Sequence, residues 1–505
     1  MVMSATSKRT LTLADALGVL DDPEAESVRL SGAALDSRDV EPGHLFMALA
    51  GQKANGLNYV DDAADRGAAA IVLDRSERDV GQSVTATLPV RHIANLAAQA
   101  GEIAARVYNR PSETLFTTGI TGTDGKTTCA WLLATALSRA GSDCGYIGTL
   151  GAGRVGPTMA GLGHLRHTTP DSATLQRECA RLRDTGAAGV AIEVSSHALA
   201  QHRSDSVVFD VGVLTGIGRD HLDYHGDHAT YVAAKRRLFD HPKLSAAVIN
   251  ADDAIGHRWL PELSERLSVT GFGVDPALKR LERYVHITRL TPGQNGLSIT
   301  LSTHLGEVEI ATRLLGFFNA ANVAAVVAVL LHRGLGLAAI REALAAIGGA
   351  PGRMERIDTT VGQPTVVVDY AHNAGSLTQA LIALDEHCRG RLILVFGCGG
   401  ERDSGKRAAM GRAAATYGDV VIVTDDNPRH ESPEAIVKQI VSGLPSTSFQ
   451  IIHDRAAAIA AGIQAARSED IVFIAGKGHE TTQQIGSEFW PFDDRDVARR
   501  ALEAV

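Results

Sequence analysis

The strongest constraint on this chain is one uninterrupted run of three pieces. Leu115 to Ile120 (LFTTGI) is β-branched and apolar, TGTDGKTT follows at 121–128, and CAWLLATALSR at 129–139 places apolar residues three and four apart. The pattern is strand, glycine loop, helix. Glycines let backbone N–H groups approach phosphate oxygens, and the helix N-terminus adds a favourable dipole. In such a loop Lys126 reaches the β- and γ-phosphates of a nucleotide and the Thr127 hydroxyl ligates Mg²⁺. The spacing departs from the usual phosphate loop, because the position five before Gly125 is Ile120 and the neighbouring glycines are Gly119 and Gly122. A glycine-rich turn with a surface lysine is the plain alternative. The flanking strand and helix disfavour it.

At 505 residues and about 150 residues per domain, three domains are expected. A net charge of −9 argues against a general nucleic-acid binder. Hydrophobic residues at 45% and charged residues at 21% are close to globular averages, so disorder is not expected. The 51 glycines and few aromatics suit an α/β enzyme with tight strand-to-helix turns. Cys129, Cys144, Cys179, Cys388 and Cys398 form no CxxC pair, which fits a reducing compartment better than a disulfide framework or a zinc knuckle. The first residues lack the apolar core of a signal peptide. The longest apolar stretch, Phe317 to Leu331, is interrupted by Asn319 and Asn322 and is too short for a bilayer span. The expectation is a cytoplasmic monomer acting on small molecules, with neither nucleic-acid nor membrane partners.

Residues 1–110 read as short strands and helices with turn signals such as EPG and KANG, ending at Asn109-Arg110-Pro111. In 111–350 the apolar runs GVAIEVSS, DVGVLTGI and AAVIN alternate with helical segments, as in a parallel sheet with crossover helices. A second break lies at Gly348-Gly349-Ala350-Pro351-Gly352. Across 351–505, TVVVDYAH, RLILVFGCGG, DVVIVTDDNP and DIVFIAGKG are four buried-strand candidates, each expected to lead into a helix. Their polar clusters lie at strand carboxyl ends, where open α/β sheets gather ligands.

Two further clusters carry chemistry. Glu193-Val194-Ser195-Ser196-His197 ends a strand, and Arg219-Asp220-His221-Leu222-Asp223-Tyr224-His225 follows later. His221 and His225 have the spacing of a zinc-peptidase pair, but Leu222 stands where HExxH needs glutamate. Ser195 and His197 lack a GxSxG elbow, which removes the hydrolase reading.

With these clusters in order, the chain resembles the ATP-dependent Mur ligases over nearly its whole length. The resemblance rests on DSR at 36–38, PGHLFMALAG, GITGTDGKTT, HTTPD at 167–171, EVSSHALAQHR, DHLDYHG and the stretch from Tyr231 through Lys235 to Phe239. The last third adds GFFNAAN, GRMER, VDYAHN, VFGCGGERDSGKR, DDNPRHESP, AGKGHE and FDDRD. It implies an α/β fold of three domains: an N-terminal UDP-substrate-binding domain, a central P-loop ATPase-like parallel-sheet domain and a C-terminal Rossmann-like domain. It also implies that ATP phosphorylates a carboxylate to an acyl phosphate, which an incoming amino group attacks. Such chemistry rests on charge neutralisation by Mg²⁺ and cations.

The resemblance also assigns residues. Gly122, Thr123, Asp124, Gly125, Lys126, Thr127 and Thr128 would hold the ATP phosphates, with Thr127 and Glu193 on a first Mg²⁺. His221 and a carbamylated Lys235 would serve a second. Adenine and ribose would meet Asn322, Arg353, Asp369 and His372. Ser37, Thr168, Thr169, Ser195, Gln201 and Arg203 would hold a UDP-linked muramoyl dipeptide. Asp426, Asn427, Pro428, Arg429, Gly476 and Glu480 would take the amino acid, and the DNPR form goes with meso-diaminopimelate, since Arg429 offers a planar fork for its distal carboxylate. The expected reaction is addition of the third residue of the peptidoglycan stem.

The chain departs from the family pattern at Leu214-Thr215-Gly216-Ile217-Gly218, at Asn373-Ala374-Gly375 and at Asp124. These departures leave open a Mur-like ligase acting on a different carboxylate. A nucleotide-binding regulator without turnover is a further alternative, and retention of Lys126, Glu193, His221 and Lys235 together speaks against it.

Overall fold

The computed structural model describes residues 11–18, 22–50, 55–75, 88–155, 161–445 and 449–504. The first ten residues, together with Gly51 of PGHLFMALAG and Lys53 and Ala54 of the KANG turn, lie outside the described residues. The described residues group into two compact units. One is drawn from Met1–Ala130, Leu137–Ile249 and Asp253–Val269, the other from Trp131–Ala136, Asn250–Asp252 and Thr270–Val505.

In the first unit, strands Gly32–Ala34, His44–Ala48, Ala70–Asp74 and Val90–Ile93 form a parallel sheet in chain order. Alternate residues of a strand face opposite ways. Leu45, Met47, Ala70 and Val72 therefore pack with Leu96, Ala100, Ile103 and Ala104 of helix Leu96–Val107. Phe46, Ile71 and Leu73 pack with Val60 and Ala63 on the other face.

The same unit holds the strand that precedes the glycine loop, Phe116–Thr121, between the parallel strands Gly189–Glu193 and Val211–Leu214. Cys144–Gly148 pairs on the far side of Gly189–Glu193, and Ala246–Asn250 on the far side of Val211–Leu214. These strands are buried on both faces, which is why Gly189–Glu193 and Val211–Leu214 read as largely apolar runs and Phe116–Thr121 as a β-branched one, none of them alternating. The register sets Glu193 opposite Ile120 and Leu214 opposite Thr121. Three strand ends thus deliver the glycine loop, the Glu193–Ser196 turn and the Thr215–Gly218 segment side by side.

The second unit contains an antiparallel meander that no apolar run foretold: Tyr284–Gly293, Gly296–Thr303 and Gly306–Thr312. Its half-buried middle strand alternates, burying Leu297, Ile299 and Leu301 on one face, and its polar half hides it from a search for continuous apolar runs. The interrupted apolar stretch forms the helix Phe318–His332, buried along nearly all its length, and no helix among the described residues is long and apolar enough to cross a membrane.

The four C-terminal strand candidates form Thr365–Asp369, Ile471–Ala475, Leu392–Phe396 and Val420–Val423, adjacent in that order and all parallel. Glu355–Ile357 and Phe449–Ile451 complete the edges. The last strand in sequence is thus central in space. One expectation needs correction: Ile471–Ala475 does not lead directly into a helix. A hairpin, Thr482–Ile485 with Glu488–Pro491, intervenes before helix Asp494–Glu503. Its backbone bonds to the Arg429 segment explain why the chain turns there: Arg429 N–H donates to the Gln484 carbonyl and Gly486 N–H to the Arg429 carbonyl.

Candidate functional site

The glycine loop enters helix Lys126–Arg139 directly from strand Phe116–Thr121. Gly122 has φ +154°, and a Cβ there would lie 1.9 Å from the Thr215 hydroxyl oxygen, so only glycine fits. Thr215 Oγ1 donates to the Asp124 carbonyl at 2.5 Å, Thr123 N–H to the Gly216 carbonyl at 2.8 Å, and Gly218 N–H to Thr123 Oγ1 at 2.8 Å. The departure at Leu214–Gly218 is therefore the support of the loop itself. Lys126 Nζ folds over the loop and donates to the carbonyls of Gly122 and Thr123, both at 2.8 Å.

Glu193, fully buried, receives Thr127 Oγ1 at 2.8 Å, Thr149 N–H at 2.9 Å and Thr149 Oγ1 at 3.2 Å, with the Tyr146 hydroxyl also donating. A buried carboxylate met by neutral donors, with a threonine hydroxyl alongside, is a hard-oxygen set that fits Mg²⁺. Among the described residues no three His, Cys, Asp or Glu side chains stand close enough to hold a metal alone. A metal here would need hydroxyl, phosphate or modified-lysine oxygens as well.

Lys235, on helix His228–Phe239, is buried, donates to the Gly122 carbonyl at 2.7 Å and stands 4.7 Å from the Tyr231 ring centre. Burial, and then the Lys126 charge, push its ammonium down to about 6. The Tyr231 hydroxyl meets Thr123 Oγ1 at 2.8 Å, joining this helix to the loop.

His221 and His225 do not make a helical pair. His221 has φ +53° and precedes the four-residue helix Leu222–His225, while its ring faces Asp220 at 3.2 Å. His225 is buried with Nε2 3.0 Å from Ser196 Oγ. The His197 ring, 4.7 Å from that of His221, is the closer aromatic neighbour.

Of the residues expected around the acceptor, Thr169, Ser195, Arg203 and Gln201 form one bonded chain. Thr169 Oγ1 donates to the Glu193 carbonyl at 2.7 Å and accepts from Ser195 N–H at 3.0 Å. Arg203 donates to the Thr169 carbonyl at 2.8 Å and to Gln201 Oε1 at 2.6 and 3.0 Å. Thr168 meets Thr149 at 3.1 Å. Ser37 is buried at the start of a 3₁₀ turn, beside which Arg166 bridges Asp36 and Asp39 at 2.7 and 3.0 Å.

In the second unit, Asn322 lies buried on helix Phe318–His332 and donates to Asn319 Oδ1. Asp369 ends its strand, accepting Met354 N–H at 2.7 Å and Ala371 N–H at 2.8 Å, and burial raises its carboxyl above the usual range. The Arg353 guanidinium lies 4.8 Å from the Tyr370 ring centre, and the His372 and His479 rings lie 4.7 and 5.3 Å from Tyr370.

Asp426, Asn427, Pro428 and Arg429 follow strand Val420–Val423. Arg429 has φ +54°, a strained conformation for a branched-chain-free but bulky residue, held by the two hairpin bonds noted above. Its Nη1 donates to the Gly400 carbonyl at 2.7 Å. Gly476 has φ +120°, and a Cβ there would come within 2.8 Å of Asp426 Oδ2. Asn427 Nδ2 donates to Glu480 Oε2 at 2.9 Å.

Sequence reasoning missed Tyr146 and Thr149, which complete the Glu193 shell, and Lys477, whose buried ammonium lies inside the AGKGHE motif. It also missed Arg407, fully buried against Glu431 at 2.5 and 2.7 Å and against the Gly399 carbonyl at 3.1 Å. An arginine inside VFGCGGERDSGKR and a lysine inside AGKGHE were the available signal.

A glycine loop feeding a helix from a central parallel strand, beside a buried carboxylate, defines a phosphate-binding α/β protein. Family models match in three places: the Mur ligase family catalytic domain at 29–108, the Mur ligase middle domain at 120–330, and the Mur ligase glutamate ligase domain at 352–478. A UDP-N-acetylmuramoyl-L-alanyl-D-glutamate–2,6-diaminopimelate ligase of Alkalilimnicola ehrlichii is 46% identical over 96% of this chain and 97% of its own. The ligase of the same name from Coxiella burnetii is 42% identical over 92% and 94%. A solved structure of a ligase with that name superposes with TM-score 0.72 at 33% identity, covering 98% of this chain and 99% of the other. The chain belongs to the Mur ligase family.

Proposed function

We propose that this protein joins meso-diaminopimelate to UDP-N-acetylmuramoyl-L-alanyl-D-glutamate at the expense of ATP, in peptidoglycan precursor synthesis. The observation that carries the choice of amino acid is the placing of Arg429. Its strained backbone is held from both sides by the hairpin, in the same loop as Asn427, which bonds Glu480. Arg429 supplies a fork for a distal carboxylate, and Glu480 an acceptor for a distal ammonium. The similar ligases named above carry the same substrates in their names.

The residue roles follow from position. Gly122 to Thr128 cradle the nucleotide phosphates, with Lys126 swinging from its loop carbonyls to the negative charge that builds during transfer. Thr127 and Glu193 hold the first Mg²⁺, and His221 with carbamylated Lys235 the second; bound Mg²⁺ supplies neutralisation of phosphate charge. Lys235 is buried and inclined to the neutral amine, the form that captures CO₂. Asn322, Arg353, Asp369 and His372 serve the adenosine, Arg353 and Asp369 meeting around Tyr370. Ser37, Thr168, Thr169, Ser195, Gln201 and Arg203 seat the acceptor, whose carboxylate becomes the acyl phosphate. The amine of the amino acid then attacks the acyl carbon, and phosphate leaves.

Segments 1–110, 111–350 and 351–505 are proposed as acceptor-binding, ATP-binding and amino-acid-binding domains, a division supported by the three family matches. We further propose a cytoplasmic monomer; its free cysteines, four of them buried, suit a reducing compartment. The test is phosphate release from ATP by purified protein with the muramoyl dipeptide and either diaminopimelate or lysine. Release that depends on the dipeptide and favours diaminopimelate supports the reading. Release with diaminopimelate but without need of the dipeptide overturns the acceptor.

A further inference from the structure

Lys477 lies between the two strand-end segments of the amino-acid site and has no part in the roles above. Its ammonium is fully buried. Three acceptors surround it: the Thr482 carbonyl at 2.6 Å, Asn427 Oδ1 at 3.1 Å and Glu480 Oε2 at 3.2 Å. Asp426 Oδ1 lies farther off, at 4.0 Å. An ammonium has three protons, so these bonds saturate it. It is therefore not a donor to substrate, and being buried it is not a phosphate-gripping lysine either.

Its bonds dictate the orientation of the groups that face the amino acid. Asn427 Oδ1 also accepts Gln484 N–H at 2.9 Å, so two donors pin that oxygen and turn the amide nitrogen toward Glu480. Gln484 in turn accepts Arg429 N–H through its carbonyl at 3.2 Å. One buried cation thus ties together Glu480, Asn427 and, through Gln484, Arg429. Glu480 Oε2 is taken by Lys477 and by Asn427 Nδ2; among the described residues no hydrogen bond reaches Oε1.

We propose that Lys477 is the positioning residue of the diamino-acid site, engaging Glu480 Oε2 and Asn427 Oδ1 so that Glu480 Oε1 alone is presented to the substrate's distal ammonium. This rests on the reading of 426–429 and 476–480 as that site. A carboxylate with one oxygen engaged accepts from one direction, which selects an amino acid whose distal cation and distal carboxylate stand at a set separation.

The experiment uses the full chain as wild type, Lys477→Met, Glu480→Gln and the double variant. Each is assayed for KM of diaminopimelate, KM of ATP and kcat, with thermal unfolding in parallel. Removing a charge-assisted anchor is expected to raise the diaminopimelate KM of Lys477→Met roughly tenfold or more, with kcat and ATP KM changed far less. Because Lys477 acts through Glu480, the double variant is expected to match Glu480→Gln within about twofold. The double variant also removes the carboxylate charge that Lys477 pairs with, so it reports even where Lys477→Met alone unfolds. An unchanged diaminopimelate KM in a folded Lys477→Met protein overturns the proposal. So does a full additional loss in the double variant, or an equal loss in ATP KM and kcat. A wild type that releases phosphate with lysine and not diaminopimelate overturns the diaminopimelate reading instead. Lys477 is then judged by the same ratios on the KM for lysine.

Discussion

Lys126 and Lys235 donate to one acceptor, the Gly122 carbonyl, at 2.8 and 2.7 Å. Two lysines 109 positions apart in sequence therefore meet at the glycine loop. Their mutual repulsion adds to burial in holding Lys235 toward its neutral form. An anion entering the loop would relieve it, as would conversion of Lys235 to a carbamate.

Lys126→Ala is expected to cut turnover by about 10²- to 10³-fold, the range seen when a group that stabilises transition-state charge is removed. Its bonds are to the carbonyls of its own loop, so the fold should persist. Phosphate-release assays with thermal unfolding check both halves. Near-normal activity in a folded variant removes Lys126 from the chemistry.

Carbamylation of Lys235 predicts that Lys235→Ala is nearly inactive and is partly restored by formate or acetate, which return an anion to the space left. Lys235→Arg should resist rescue, because it fills that space with a fixed cation. A crystal structure of active, Mg²⁺-loaded enzyme showing plain lysine at 235 would contradict the assignment.

Diaminopimelate and lysine differ by the distal carboxylate, so Arg429 should carry the discrimination. A charge-assisted pair is worth about 1.5–3 kcal/mol, roughly ten- to a hundred-fold in kcat/KM. Arg429→Ala should raise the diaminopimelate KM and narrow its advantage over lysine while ATP KM stays close to wild type. A variant that keeps the full preference shows that another group selects.

Glu431 gives a prediction in pH. The Arg407 guanidinium holds its carboxyl down from the usual 4.5 to about 2. A carboxyl depressed on folding contributes stability above its unfolded pKa and loses it as pH falls through the folded value. Wild type should therefore lose this contribution between about pH 4.5 and 2, whereas Glu431→Gln lacks it throughout. Urea unfolding from pH 6 to 2 should show the gap between the two proteins closing as pH falls. A constant gap means the pair adds no charge-dependent stability.

The family departures look different once folded. Thr215, Gly216 and Gly218 replace the commoner residues before DHLDYH, and each of them bonds the glycine loop through side chain or backbone. Asn373 caps helix Ala374–Asp385, its side chain accepting Ser376 N–H at 2.9 Å. Both segments meet local structural needs, so neither requires a changed acceptor.

The sequence by itself determined the parts whose physics is local. A strand, a glycine-bearing turn and an apolar helix in direct succession announce a phosphate loop, and buried parallel strands announce themselves as apolar runs ending in polar clusters. The candidate amino-acid segment could be located because DNPR is contiguous at 426–429. Tertiary structure alone decided which distant groups surround these motifs. Tyr146 reaches Glu193 across 47 positions, and Lys477 reaches Asn427 across 50. The central place of Ile471–Ala475 and the hairpin that clamps Arg429 likewise come from strand pairing far along the chain. Side-chain burial, and with it the depressed ammonium of Lys235 and the saturated one of Lys477, depends on what packs around a residue. That is set by the whole fold, because desolvation is a property of a residue's surroundings and not of its neighbours in sequence.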